Sequence, residues 1–251
     1  MIHGFRGTHH GLDLIAKQLT DFTVIVPDLP GFGEAKTLDN EHSLQNYVAW
    51  LADFISDLKL SHPPILMGHS FGSIVAASYA AQYPETLASL VLVNPIGAPA
   101  LEGPKAILTK LAVFYYFVGR KLPAGLAKKW LASKLVVMIM SITMAKTKDK
   151  KLRSFIHSQH LMHFSSFANP TMLSEAFKTS VSQNVRMFAS KISLPTLLIA
   201  GDKDDITPLS KQQSLVKLFK NAELVVIKNV GHLTHYETPN QVASAIKRFI
   251  H

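Results

Sequence analysis

The sequence predicts an α/β protein: a mostly parallel sheet flanked by helices, with a helical block inserted between two of its strands. Three observations carry this. Apolar runs of strand length alternate with amphipathic segments of helix length from Phe22 to Asn94, and the same alternation returns from Leu194 to Ile250. Each run ends in a turn rich in Gly, Pro, Asn or Asp. Between Gly97 and Lys191 no strand signal interrupts a series of helix formers with apolar residues at helical spacing.

Taken in order, His3-Gly4-Phe5-Arg6-Gly7 is a glycine-rich turn, followed by an expected helix from Leu12 to Leu19. Phe22 to Asp28 reads as a buried strand that ends in Leu29-Pro30-Gly31-Phe32-Gly33. Ser43 is placed to cap a helix through Leu58, with Tyr47, Trp50, Leu51 and Phe54 on one face. Pro64 to His69 is the next strand. It enters Gly68-His69-Ser70-Phe71-Gly72 and leaves as a helix of small residues, Ala76, Ala77, Ala80 and Ala81, that can lie close on a sheet until Pro84 stops it. Leu87 to Val93 is a further strand, closed by Asn94-Pro95. The helical block follows, with Ile107, Leu108, Leu111, Phe114, Tyr115 and Val118 in its first helix. A strand at 194–200, a helix at 209–219, a strand at 222–227 and a helix opened by Thr238-Pro239 complete the chain. The organisation read from this is a core of 1–96 and 192–251 with an insertion of 97–191.

Composition narrows the class. Of 251 residues, 47% are hydrophobic and 17% charged, which is a globular balance. No apolar run reaches the roughly 18 to 20 residues of a membrane span; the longest uncharged one, Leu135 to Ala145, fits a buried or interfacial helix. Met1-Ile2-His3-Gly4 shows no basic segment with an apolar one behind it, so the expectation is a soluble, cytoplasmic chain. With no cysteine, disulfides and thiolate metal sites are excluded. The net charge of +9 is localised: residues 97–191 hold 15 Lys and Arg against 3 Asp and Glu. That block could attract anionic lipid surfaces or acidic substrates, or the lysines could simply keep an apolar segment in solution. Nothing interleaves aromatic and basic residues as a nucleic-acid surface would, so no nucleic-acid partner is expected.

The chemistry centres on Ser70. Strand, Gly-x-Ser-x-Gly and helix together form a turn so tight that Gly68 and Gly72 must lack side chains, with the serine pushed out at its apex. The pentapeptide alone is a weak signal; its strand and helix sharpen it. A serine nucleophile needs a base, and the base an orienting carboxylate, at the same carboxyl edge of the sheet. After the strand at 194–200 stand Asp202, Asp204 and Asp205; after the strand at 222–227 stands His232. His3 and His69 are read as scaffold residues beside the turn. His157, His160 and His163 are three apart and drift around a helix with no carboxylate between them on one face, which argues against a metal there.

With these residues in view, the chain resembles the α/β-hydrolase superfamily, in its capped branch of esterases, C-C bond hydrolases and related serine enzymes. The resemblance runs from His3 to the C-terminus through His3-Gly4-Phe5, Asp28-Leu29-Pro30-Gly31-Phe32-Gly33, Gly68-His69-Ser70-Phe71-Gly72, Gly201-x-x-Asp204-x-x-x-Pro208 and Gly231-His232 with Glu237-x-Pro239. It implies that Ser70, Asp204 and His232 are catalytic, that the backbone N-H groups of Phe5 and Phe71 form the oxyanion hole, and that Asp202 and Asp205 are solvated loop carboxylates. It implies no cofactor and no metal. The insertion becomes a helical cap over an apolar small-molecule substrate, and the reaction becomes cleavage of a carboxylic ester through an acyl-enzyme. C-C bond cleavage is the nearest alternative, although such relatives often carry Asn where this chain has His69. A non-catalytic binder of the same fold would not need all three of Ser, Asp and His. In the family the His-Gly turn closes the third of eight strands, and here two residues precede it. The expectation is therefore a late start at an internal Met, or a fragment, with five main parallel strands and at most a stub of the third.

Overall fold

The structure is a computed structural model and describes residues 1–98 and 106–250; the start of the helical block at 99–105 and the side chains of 106–109, with Ile107 and Leu108, lie outside the described residues. Four strands form one parallel sheet in chain order: β1 (Ile65–His69), β2 (Ser89–Val93), β3 (Thr196–Gly201) and β4 (Ala222–Ile227). Helices α1 (Asp13–Ala16) and α2 (Leu44–Asp57) precede β1, and α3 (Phe71–Gln82) joins it to β2. Among the described residues five α-helices stand between β2 and β3: α4 (Ala106–Lys121), α5 (Ala124–Leu131), α6 (Lys134–Met144), α7 (Lys150–His163) and α8 (Pro170–Ser182). The chain ends with α9 (Leu209–Val216), α10 (Thr234–Glu237) and α11 (Pro239–Ile250).

β2 and β3 are buried along their whole length, as parallel strands covered on both faces must be. On one face α2 and α3 close a core around Tyr47, Leu51, Ile74, Ala77 and Leu92; on the other, α1 and α11 close a second around Ile15, Val91, Ile199 and Ile246. Ser43 caps α2 as expected, its Oγ accepting from Asn46 N at 3.3 Å. The helix expected over 12–19 is shorter. It is a 3-10 turn at His9–Leu12 followed by the single turn of α1, because Gln18 and Leu19 already bond back three residues.

The strand expected at Phe22–Asp28 is absent from the sheet, so the described strands number four and not five. The reason lies in its neighbour. Between this segment and β1 stand only Met1 to His3: Ile2 N donates to Met67 O at 2.7 Å, His69 N donates to Ile2 O at 2.9 Å, and the Met1 ammonium reaches Ile25 O at 2.6 Å. Ile2 makes one parallel bridge, to Gly68. With no longer neighbour, residues 22–27 have no ladder to join. A cavity of about 230 Å³ opens beside them, lined by apolar groups such as Val24, Leu51, Phe54, Ile65 and Met67.

Candidate active site

Ser70 stands between β1 and α3 with φ 52° and ψ −118°, a conformation that costs a non-glycine residue of order 1 to 3 kcal/mol. The two glycines around it are required by contact. A Cβ on Gly68 would lie 2.4 Å from Gly72 O, and one on Gly72 would lie 2.4 Å from Ile2 O. The tight turn therefore clamps α3 against both β1 and the His3-Gly4-Phe5 segment. It presents Ser70 Oγ at the positive end of α3.

The residues read from the sequence meet at this edge. His232 Nε2 lies 2.8 Å from Ser70 Oγ, and His232 Nδ1 lies 2.8 Å from Asp204 Oδ2. Asp204 is buried and richly bonded: Asn94 Nδ2 donates to Oδ2 at 2.9 Å, Thr207 Oγ1 donates to Oδ2 at 2.5 Å, and the N-H groups of Ile206 and Thr207 donate to Oδ1 at 2.8 and 2.9 Å. Burial alone would raise this carboxyl, but His232 and the hydrogen bonds of Thr207 reverse that and hold it well below the usual carboxylate range. An ionised Asp204 can only accept, so His232 carries its proton on Nδ1 and donates it in a hydrogen bond to Asp204, which leaves Nε2 free to accept from Ser70.

Asn94, one residue beyond β2, has φ 45°, and its Oδ1 accepts from Thr234 Oγ1 at 2.5 Å. It ties the Asp204 loop to α10 beyond His232. The sequence marks this position only as the close of a strand; its amide roles depend on side-chain direction, and so do those of Thr207 and Thr234.

Phe5 and Phe71 flank the serine, with ring centroids 6.4 Å apart at 89°. Neither backbone N-H donates to another described residue. His3 braces the first of them. Its Nε2 accepts from Leu29 N at 2.9 Å, so the ring proton sits on Nδ1 and donates to Gly4 O at 2.8 Å. His69 Nε2 donates to His232 O at 3.3 Å. Burial holds both rings neutral, pushing His3 down to about 4 and His69 to about 3. Arg6, buried with φ 60°, ties the same turn to the helical block: it donates to Phe164 O at 2.8 Å, Leu131 O at 2.7 Å and Tyr116 Oη at 3.2 Å. Sequence reading passed over it as a turn residue.

A pocket of about 170 Å³ holds Ser70 and His232 and is walled by Phe5, Leu12, Ile206 and, from the helical block, Met140, Met144 and Phe164. The other loop carboxylates are not merely solvated. Asp205 accepts from Lys146 Nζ at 2.5 Å and Asp202 accepts from Asn229 N at 2.7 Å, so both brace loops. On α7, His157 and His160 share Ser141 Oγ at 2.6 and 2.7 Å, while His163 stacks on His10 at 4.3 Å.

Lipase 1 of Psychrobacter immobilis is 26% identical over 264 residues, spanning 99% of this chain and 75% of that protein. Monoacylglycerol lipase ABHD6 of Mus musculus is 27% identical, spanning 100% of this chain and 74% of that protein. Among solved structures, a thermophilic esterase from Thermogutta terrifontis superposes with a TM-score of 0.78 at 24% identity, over 99% of this chain and 87% of that one. A bromoperoxidase from Bacillus anthracis superposes with a TM-score of 0.82 at 17% identity, over 99% and 90%. The family model described as alpha/beta hydrolase fold matches residues 1–239, and with the parallel sheet and the strand-end placement of Ser70, Asp204 and His232 the chain belongs to that family.

Proposed function

We propose that the protein is a serine hydrolase that cleaves carboxylic esters of small to medium apolar acyl groups through an acyl-enzyme. The observation that carries this reading is the continuous chain Ser70 Oγ, His232, Asp204, with both contacts at 2.8 Å. His232 Nε2 takes the Ser70 proton as Oγ attacks the ester carbonyl, and returns it to the departing alkoxide. Water, deprotonated by the same nitrogen, then releases the acid and restores Ser70. Asp204 stays ionised and holds the imidazolium. The N-H groups of Phe5 and Phe71 receive the oxyanion; one such donor is worth about 2.7 to 4 kcal/mol in the transition state. The helical block acts as a cap whose Met140, Met144 and Phe164 shape an apolar wall for the acyl group. Support from relatives is of the same kind, since the named ones include lipases and an esterase. Labelling by a fluorophosphonate probe tests the reading: wild type should label at Ser70 and turn over p-nitrophenyl butyrate, and Ser70→Ala should do neither. A wild-type chain that binds an ester without labelling or turnover would refute it.

A further inference from the structure

The helical block carries more than the pocket wall. Of the fourteen large apolar side chains that the described residues leave exposed, nine lie on α4, α5 and α6. Leu111 and Phe114 on α4 are 62% and 63% exposed, and Leu135 and Ile142 on α6 are 71% and 56% exposed. Trp130 on α5 is also exposed, and it is fixed to α4 by its Nε1, which donates to Tyr115 O at 3.1 Å. The same three helices carry six Lys and Arg and no Asp or Glu. Lys128, Lys129 and Lys134 are exposed around the α5–α6 turn, and Lys121 Nζ stands 5.8 Å from the centre of the Phe117 ring. Hydrophobic side chains standing in water among cations, on helices too short and too charged to span a bilayer, match a surface that lies in a lipid headgroup layer.

We infer that α4, α5 and α6 form a docking surface for an anionic phospholipid bilayer, with the apolar side chains entering the acyl boundary and the cations meeting the headgroups. Charge complementarity selects this occupant: a second copy would bring the same positive charge to the contact and repel it. α6 gives the surface its position in the molecule. Its outer side exposes Leu135, Ile139 and Ile142, while Met140 and Met144 of the same helix line the pocket that holds Ser70. One helix thus separates the lipid from the site. The inference does not rest on the chemistry proposed for Ser70, because it is read by binding and not by turnover.

The test is co-sedimentation of the full chain with phosphatidylcholine vesicles, with and without phosphatidylglycerol, at low and high salt. Partitioning should be at least about tenfold stronger on the anionic vesicles and fall about tenfold as salt screens the charges. In a Trp50→Phe background Trp130 is the remaining tryptophan, and its emission should shift to the blue on binding. Phe114→Ser with Leu135→Ser, and separately Lys128→Glu with Lys129→Glu, should each lower partitioning about tenfold. All four positions are exposed, and an unchanged melting curve shows that each variant is folded. Three results would overturn the inference: no partitioning to anionic vesicles, equal partitioning to neutral and anionic ones, or self-association in sedimentation velocity that these substitutions abolish.

Discussion

β1 is held to β2 by five register pairs, from Ile65 with Ser89 to His69 with Val93, whereas its other edge meets a single bridge from Ile2. The two sides also differ in how well they are filled. Toward β2 and β3 the strands are buried throughout and the polar groups around Asp204 are bonded. Toward residues 22–27 there is no ladder, and a cavity of about 230 Å³ lined by Val24, Ile65 and Met67 remains. Ser70, Asp204 and His232 all hang from the first side, and Phe5 hangs from the second. On the proposed reading the two oxyanion donors therefore come from different sides, Phe71 from the laddered one and Phe5 from the other, and the sides join where Gly72 approaches Ile2 and His3.

The largest effect should come from the laddered side. Ser70→Ala and His232→Ala should each lower kcat for p-nitrophenyl butyrate by about 10⁴-fold or more, and Asp204→Asn by a comparable factor, since an amide can leave the imidazole in the wrong tautomer. Asp205→Asn, which weakens a partly exposed contact with Lys146, should stay within about threefold. If Asp205→Asn were the severe variant, the acid assignment would fail.

Gly72→Ala probes the junction itself. Its Cβ would meet Ile2 O at 2.4 Å and His3 O at 2.6 Å, so the backbone carrying Phe5 must shift. A loss of about 2 to 3 kcal/mol in denaturant unfolding is expected. Activity should fall as well, although no side chain of the pocket has changed; an unaltered rate would show that Phe5 N-H is not part of the machinery.

Acid should act on the buried histidines next. His3 sits near 4 in the folded chain, because burial disfavours its charged form, and rises to the ordinary 6.5 on unfolding. A folded value that is depressed leaves stability whole above pH 6.5 and removes it as pH falls toward 4, about 2 kcal/mol by pH 5 from this group alone. His69 and His160, each pushed to about 3, add to the same slope. Melting temperatures between pH 7 and 5 should therefore fall steeply, and His160→Gln should flatten the curve. A melting temperature independent of pH in that range would contradict the neutral assignments.

The smallest effect belongs to the open side. Val24→Leu adds a methylene toward the cavity and should raise stability by about 0.5 to 1 kcal/mol with kcat unchanged. A loss of stability would mean that the space closes in solution.

Most of the fold and of the candidate site was legible because it is written in local signals. Alternating apolar runs gave β1 to β4, strand-end positions gave Ser70, His232 and a choice of three aspartates, and the family resemblance selected Asp204 among them. What failed was non-local. Phe22 to Asp28 has the composition of a strand, but a strand exists only with a ladder partner, and composition cannot supply one. Asn94, Thr207 and Thr234 were illegible for a related reason: a short polar side chain at a strand end bonds outward or inward depending on the backbone angle, as with Asn94 at φ 45°.

Arg6 gives the helical block a fixed corner. A guanidinium cannot shed its proton in a protein, and this one is bonded to Tyr116 of α4, to Leu131 of α5 and to Phe164 just past α7. Pulling those three segments away would strand a charge out of water, so any widening of the pocket has to pivot about that corner. The opposite side is tied nearer the surface, by Lys146 N donating to Glu237 Oε1 at 2.8 Å and by the partly exposed pair of Lys146 with Asp205, where water competes more easily. Hydrogen exchange should accordingly be faster at residues 145–149 than around Tyr116 and Leu131. If the block acts as the proposed cap, its firmest anchor is at Arg6 and its more yielding margin is at Lys146, near His232.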